Sequence, residues 1–159
     1  YLGCELHSSM DMVDCLKKGR RLTMAGSRYV LVEFSSGDDR SYIEERIRSL
    51  VMNGFIPIIA HAERYPATRN DLDFLRDLRK MGAYIQINAD TISGAEGFSA
   101  KHYAKKLMKE NLIDYVGSDG HRKDRRIPEI GKCCEKMKKI MGEEYVRQVL
   151  IENPRRIIQ

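Results

Sequence analysis

The chain has 159 residues, of which 42% are hydrophobic and 32% are charged, a composition typical of one globular domain that can bury a core. No apolar run approaches the roughly 20 residues that a membrane-spanning helix needs, so we expect no membrane insertion. The net charge of +5 comes from 28 basic residues scattered among 23 acidic ones, without the aromatic-interleaved basic stripe that is typical of nucleic-acid-binding proteins.

Short β-branched or aromatic-rich segments alternate with amphipathic ones along the chain. Segments bounded by Gly, Pro, Ser or Asn predict five strands, at Tyr1–Leu6, Tyr29–Phe34, Ile56–Ala60, Ala83–Asn88 and Tyr115–Gly117. Apolar residues at helical spacing predict helices at Met10–Lys18, Asp39–Met52, Asn70–Met81, Ser99–Asn111, Pro128–Met141 and Glu143–Glu152. This alternation predicts an α/β fold with a parallel sheet, right-handed connections and outer helices, in a single domain.

Polar side chains follow the predicted strands at their C-terminal ends. Glu5, Glu33 and His61 end or follow the first three strands, and Asp119 and His121 follow the fifth. Parallel strands bring these ends to one edge of the sheet, where α/β enzymes keep their chemistry. Carboxylate and imidazole ligands without a thiolate suit manganese, zinc or iron, so the pattern predicts a metal cluster.

Such a cluster favours phosphate-ester hydrolysis as the reaction class. Several metal ions can generate hydroxide near neutral pH and stabilise both the attacking and the leaving oxygen. The reaction also needs cations for the remaining phosphate oxygens, and Arg64 and Arg126 lie in the two loops that carry predicted ligands.

The same segments resemble a known family. VLVEF at 30–34, IPIIAHAERY at 56–65, IQINADT at 85–91, GSDGH followed by RIP within 117–128, and ENP at 152–154 occur in the order found in bacterial PHP-type protein tyrosine phosphatases. These manganese-dependent enzymes belong to capsule and exopolysaccharide operons. The resemblance implies a distorted (βα) barrel with a trinuclear metal site. It also implies a phosphotyrosine substrate on a partner bacterial tyrosine kinase that controls polysaccharide export.

The resemblance also implies roles for individual residues. Glu5 corresponds to a bridging glutamate, Glu33 and His61 to ligands of a second metal ion, and Asp119 and His121 to ligands from the last metal-bearing strand. Arg64 and Arg126 correspond to arginines that contact phosphate. His7 and Glu63 match no family ligand and are expected at the rim.

One part of the family pattern has no counterpart in this chain. The family begins with a strand carrying His-x-His, an acidic Asp-Asp-Gly loop and a further histidine, whereas the first strand here matches a later one. We therefore expect residues 1–159 to form a PHP-type domain that lacks the N-terminal strands of the full barrel. A chain of this extent is expected to bind metal incompletely and to hydrolyse poorly.

Three alternatives remain open at this point. The segment from Cys15 to Arg21 has Cys-x5-Arg spacing, which is typical of thiol phosphatases, although it falls in a predicted helix. A small-molecule phosphatase of the PHP type, such as a histidinol-phosphate phosphatase, would use the same metal residues. The third is an inactive barrel remnant that acts as a regulatory or binding module.

Cys4, Cys15, Cys133 and Cys134 lack Cys-x-x-Cys spacing, which predicts reduced thiols and a cytoplasmic protein.

Overall fold

The computed structural model describes residues 1–69, 71–122 and 128–159 and contains one five-stranded parallel sheet. Its strands are β1 (Glu5–His7), β2 (Tyr29–Glu33), β3 (Ile56–Ile59), β4 (Tyr84–Asn88) and β5 (Tyr115–Gly117). They lie side by side in chain order, each parallel to the next. This order is that of a (βα) barrel wall and differs from the reversing order of a doubly wound sheet. The predicted α/β fold with parallel strands and outer helices is confirmed.

Helices connect the strands; most of them cover one face of the sheet, and the last contributes Ile157 to the cluster on the other face. They are α1 (Met12–Lys17), α2 (Arg40–Met52), α3 (Leu72–Lys80), α4 (Ala89–Ser93), α5 (Phe98–Lys109), α6 (Gly131–Met141), α7 (Glu143–Arg147) and α8 (Asn153–Ile157). Aspartate side chains start two of them, because Asp39 accepts a hydrogen bond from Tyr42 N (2.8 Å) and Asp71 accepts one from Phe74 N (2.9 Å). None of the helices in the described part of the chain is long and apolar enough to cross a membrane.

Side chains alternate between the two faces of the sheet and form two apolar clusters. In β2, Val30 and Val32 belong to the large core between sheet and helices, whereas Tyr29 belongs to a smaller cluster with Leu31 at its side. Glu33 continues the series of Tyr29 and Leu31 along the strand. The strand-end acids therefore lie on the face of the smaller cluster, away from the helix-covered core.

Most elements end within a few residues of their predicted bounds, and three differences are larger. The first strand comprises Glu5–His7 rather than Tyr1–Leu6, because residues 1–4 are exposed and do not pair with β2. Helical structure does not end before Asn153, since a π-helical turn (Gln148–Glu152) leads directly into α8. Pro154 lies in the first turn of α8, directly after the π-helical turn. Helix α4 was not predicted, because five residues are too few for a periodic pattern.

Candidate metal centre

Three of the predicted ligands converge at the C-terminal edge of the sheet. Glu5 Oε1 lies 2.9 Å from His61 Nε2, and Glu33 Oε2 lies 3.4 Å from the same nitrogen. One ligand atom from each of the three residues falls within 4.8 Å of the others. Parallel pairing places His7 opposite Glu33, and Glu33 Oε1 lies 3.4 Å from His7 Nδ1 at the exposed rim. Two carboxylates and one imidazole at this separation form a donor set that suits manganese, zinc or iron.

The backbone at His61 explains why its ring points to the two carboxylates. His61 adopts a left-handed conformation (φ 33°, ψ 51°) directly after β3 and starts a 3₁₀ turn at Ala62–Arg64. Its N–H donates to Gln86 Oε1 at 3.2 Å, which ties the turn to β4. Asp119 also has a positive φ (50°), so two of the four non-glycine residues with positive φ in the described part of the chain are predicted ligands. Such strained positions concentrate at functional sites.

The hydroxyl of Tyr65 orients the His61 ring. It donates to Ala60 O at 2.8 Å, accepts from Phe34 N at 3.1 Å and lies 3.1 Å from His61 Nδ1. All of these groups are satisfied if His61 carries a proton on Nδ1 and donates it to the second lone pair of the Tyr65 hydroxyl. That tautomer leaves Nε2 facing the two glutamates and able to bind a metal ion. A metal-binding histidine usually donates its other ring N–H to a neighbouring group in this way, which fixes its tautomer and ring orientation.

The charges of the site couple His61 to Glu5. The hydrogen bond from His61 lowers the pKa of Glu5 even though partial burial and the charge of Asp119 oppose that shift. Burial favours the neutral form of His61, but the hydrogen bond to Glu5 and its negative charge outweigh burial and raise the pKa of His61. His61 Nε2 and the carboxylate of Glu5 therefore favour each other's charged forms at the position where a metal ion would bind.

Arg64 lies beside this centre and holds two carboxylates. Its Nη1 donates to Asp119 Oδ2 at 2.7 Å and its Nη2 donates to Glu96 Oε1 at 3.0 Å. Asn88 Nδ2 donates to Asp119 Oδ2 as well, at 3.2 Å. Burial disfavours the charged form of Arg64, but the two carboxylates raise its pKa, so it stays a guanidinium. The side chain of Asp119 is only 11% exposed and is oriented by Arg64 and Asn88.

The remaining predicted residues are not brought into the three-residue cluster. The His121 side chain is 59% exposed, with Nδ1 2.8 Å from Asp119 O and 3.4 Å from Asp119 Oδ1 in its own turn. Arg126 lies outside the described residues. Gly120, between Asp119 and His121, is constrained by close packing, because a Cβ there would lie 2.9 Å from Pro128 Cα. The loop after β5 thus contributes Asp119 beside the centre and leaves His121 at the surface.

Glu63 is a buried acid behind the site, not the rim residue that the sequence predicts. Its Oε1 accepts from Asn88 N at 3.0 Å and lies 2.8 Å from Thr91 Oγ1, whose single proton can serve either Glu63 or Glu96, while Oε2 has no hydrogen-bond partner among the described residues. Burial raises the pKa of this carboxyl despite those two contacts. Glu63 therefore supports the β3 and β4 ends from behind, and its carboxyl does not join the cluster of Glu5, Glu33 and His61.

Three contributors to the site were missed in the sequence: Tyr65, Thr91 and Glu96. Tyr65 follows His61 by four residues, but only the 3₁₀ turn brings its hydroxyl back to the ring. Thr91 lies in the unpredicted helix α4, and Glu96 faces Arg64 because the chain reverses at Gly94 (φ 91°). No pattern of residue types indicates those contacts.

The thiol alternative finds no support in the structure. Cys15 lies within α1, and its thiol donates to Asp11 Oδ2 at 3.4 Å. A thiol phosphatase needs its cysteine in a loop whose backbone N–H groups surround the phosphate, next to a helix N-terminus. A helical cysteine beside a carboxylate does not meet that requirement.

Comparisons with known proteins find similar chains. A family model described as "Capsular polysaccharide synthesis, CpsB/CapC" matches residues 1–159. The tyrosine-protein phosphatase CpsB of Streptococcus pneumoniae is 32% identical over 161 residues, covering 98% of this chain and 66% of CpsB. The tyrosine-protein phosphatase YwqE of Bacillus subtilis (strain 168) is 30% identical over 151 residues, covering 95% of this chain and 59% of YwqE.

A solved structure is similar over nearly the whole chain. It comes from work on YwqE of Bacillus subtilis and CpsB of Streptococcus pneumoniae, which that work calls unique metal-dependent tyrosine phosphatases. The TM-score is 0.90 at 28% identity, covering 98% of this chain and 63% of the solved one. The chain therefore spans about two thirds of the length of the relatives that it matches.

Proposed function

Because this chain belongs to the CpsB/CapC family of capsular polysaccharide synthesis proteins, we propose that it is a metal-dependent phosphatase that acts on phosphotyrosine in proteins. The observation that carries the proposal is the convergence of Glu5, Glu33 and His61 beside the guanidinium of Arg64. A metal-ligand set next to a fixed cation provides both requirements of phosphomonoester hydrolysis, a site that activates water and a partner for the phosphate oxygens.

Each residue has a defined task in this proposal. Glu5, Glu33 and His61 hold a metal ion, which supplies hydroxide near neutral pH when bound. Tyr65 keeps the His61 ring in the ligating tautomer. Arg64 offers a planar pair of N–H donors that matches two phosphate oxygens, with Arg126 proposed as a second such arginine.

We further propose a multinuclear manganese centre to which Asp119 and His121 add ligands. Asp119 is close enough to the cluster for its charge to affect the pKa of Glu5, which supports a shared site. His121 can join only if its exposed ring leaves its present hydrogen bond with Asp119 O. Zinc and iron fit the same oxygen and nitrogen donors, so the physiological metal is a question for metal analysis.

The biological setting is part of the same proposal. The substrate would be the phosphorylated tyrosines of a bacterial kinase that controls capsule or exopolysaccharide export, and the protein would act in the cytoplasm, where its four free thiols stay reduced. Residues 1–159 would form one PHP-type domain equivalent to the later strands of the barrel, in keeping with a sheet whose strands follow chain order.

A binding and turnover comparison tests the proposal. The chain is mixed with a tyrosine-phosphorylated peptide or a small phosphomonoester, with manganese or with a chelator. We expect manganese-dependent binding of the phosphopeptide, release of phosphate at a low rate, and loss of both in Glu33→Gln. A chain that shows neither manganese-dependent binding nor turnover would contradict the proposal. Preference for the small phosphomonoester would favour a small-molecule phosphatase.

A further inference from the structure

We propose that Glu96, anchored by Thr91, is a positioning residue that holds Arg64 in place while the other side of its guanidinium binds phosphate. The inference rests on the proposed function, because it assigns a role in substrate binding. In the structure Arg64 donates hydrogen bonds to two carboxylates, from Nη1 to Asp119 and from Nη2 to Glu96. Their roles differ, because Asp119 is a predicted metal ligand and Glu96 is not.

The geometry separates the two partners of Arg64. When Asp119 serves as a metal ligand, Nη1 of Arg64 can exchange this carboxylate for a phosphate oxygen. Nη2 keeps its hydrogen bond to Glu96, so the guanidinium does not have to be repositioned when the substrate arrives. A long arginine side chain held in this way loses little further conformational freedom on binding, which is the physical benefit of preorganisation.

Glu96 can do this because it is itself fixed. Thr91 is fully buried, and its hydroxyl lies 2.5 Å from Glu96 Oε2 and 2.8 Å from Glu63 Oε1. The chain from Gly94 to Gly97 folds back over α4, with Ala95 N donating to Asp90 O at 3.0 Å. Glu96 is therefore attached through Thr91 to the end of β4, unlike an ion-pair partner on a mobile surface side chain.

The simpler interpretation is an ordinary surface ion pair without a role in binding. The Arg64–Glu96 pair is 31% exposed on each side, and exposed pairs of this kind contribute little. The chain offers a matched example of such a pair, because Arg76 Nη2 donates to Glu110 Oε2 at 2.6 Å far from the metal centre. The two interpretations differ in what happens to phosphate affinity when the acid is removed.

The test measures the affinity of the manganese-loaded chain for inorganic phosphate by calorimetry. We expect Glu96→Ala to weaken phosphate binding about tenfold, the loss associated with one charge-assisted hydrogen bond, while manganese affinity stays unchanged. Thr91→Val should also weaken phosphate binding, whereas Thr91→Ser, which keeps the hydroxyl, should bind phosphate as tightly as the unsubstituted chain. Glu110→Ala should leave phosphate affinity unchanged.

Two results would count against the inference in different ways. Equal phosphate affinity in Glu96→Ala and the unsubstituted chain would overturn the role of Glu96 alone. Absence of manganese-dependent phosphate binding in the unsubstituted chain would overturn the proposed function together with this inference. Glu96 is partly exposed, so its alanine variant is expected to fold, and thermal unfolding of the metal-free form checks this directly.

Discussion

Removing the hydroxyl of Tyr65 is the perturbation for which the structure makes the most detailed prediction. Tyr65→Phe keeps the ring, which is 3% exposed and packs edge-on against Phe34 at a centroid distance of 5.8 Å. It removes the donor to Ala60 O and the acceptor for Phe34 N, both in buried residues. It also removes the partner of His61 Nδ1, so the ring is free to rotate or to change tautomer.

Two magnitudes follow from these contacts. Leaving buried backbone groups without partners lowers the free energy of unfolding by about 1–3 kcal/mol. Loss of a residue that orients a metal ligand lowers metal affinity by roughly 10- to 100-fold. We expect both effects together, because one hydroxyl serves the backbone and the His61 ring. Urea unfolding of the metal-free chain measures the first effect, and manganese titration measures the second.

Tyr115→Phe is the matched control for this experiment. Tyr115 is also buried, but it lies at the start of β5, at the opposite edge of the sheet; its hydroxyl donates a long hydrogen bond to Asn153 O at 3.5 Å and also interacts with Tyr29. The control should lose little stability and no manganese affinity. If Tyr65→Phe binds manganese as tightly as the unsubstituted chain, Tyr65 does not orient His61 and the assigned tautomer is wrong.

Three further predictions concern pH, the core and the thiol alternative. The pKa of His61 in the folded chain is raised above 6.5. The contribution of His61 to the stability of the metal-free chain is therefore complete below pH 6.5 and is lost as the pH rises through the folded-state pKa. Urea unfolding midpoints should show this decline in the unsubstituted chain and less of it in His61→Gln. Asp114→Ala leaves the buried Ile85 N–H without its acceptor and should lower the free energy of unfolding by about 1–3 kcal/mol in urea titrations; a loss near zero would show that water replaces the carboxylate. Cys15→Ser should retain manganese-dependent phosphopeptide binding and any turnover that the unsubstituted chain shows, and loss of both would revive the thiol mechanism.

The convergence of Glu5, Glu33 and His61 could be predicted because the fold itself brings these residues together. Glu5, Glu33 and His61 need only three neighbouring parallel strands and a sheet face shared by alternate residues, and both properties can be inferred from strand patterns. The three side chains meet even though β1 starts four residues later than expected. Strand order, rather than exact strand boundaries, determines which side chains meet.

The contacts that organise the loops could not be predicted in the same way. The left-handed backbone at His61 and at Asp119 sets the directions of both side chains, and neither residue type favours that conformation strongly enough to predict it. Tyr65 and Glu96 reach the site only through a short turn and a chain reversal. Such contacts depend on backbone angles in segments too short to have a periodic pattern.

Anomalous diffraction from crystals of this chain grown with manganese tests the central claim most directly. The claim is that Glu5, Glu33 and His61 together bind a metal ion at the C-terminal edge of the sheet. We predict an anomalous peak at the manganese edge among the three side chains, within about 2.0–2.3 Å of a carboxylate oxygen of each glutamate and of His61 Nε2. A crystal soaked in manganese in which Glu5 still accepts the His61 hydrogen bond, with no peak among the three side chains, would contradict the claim.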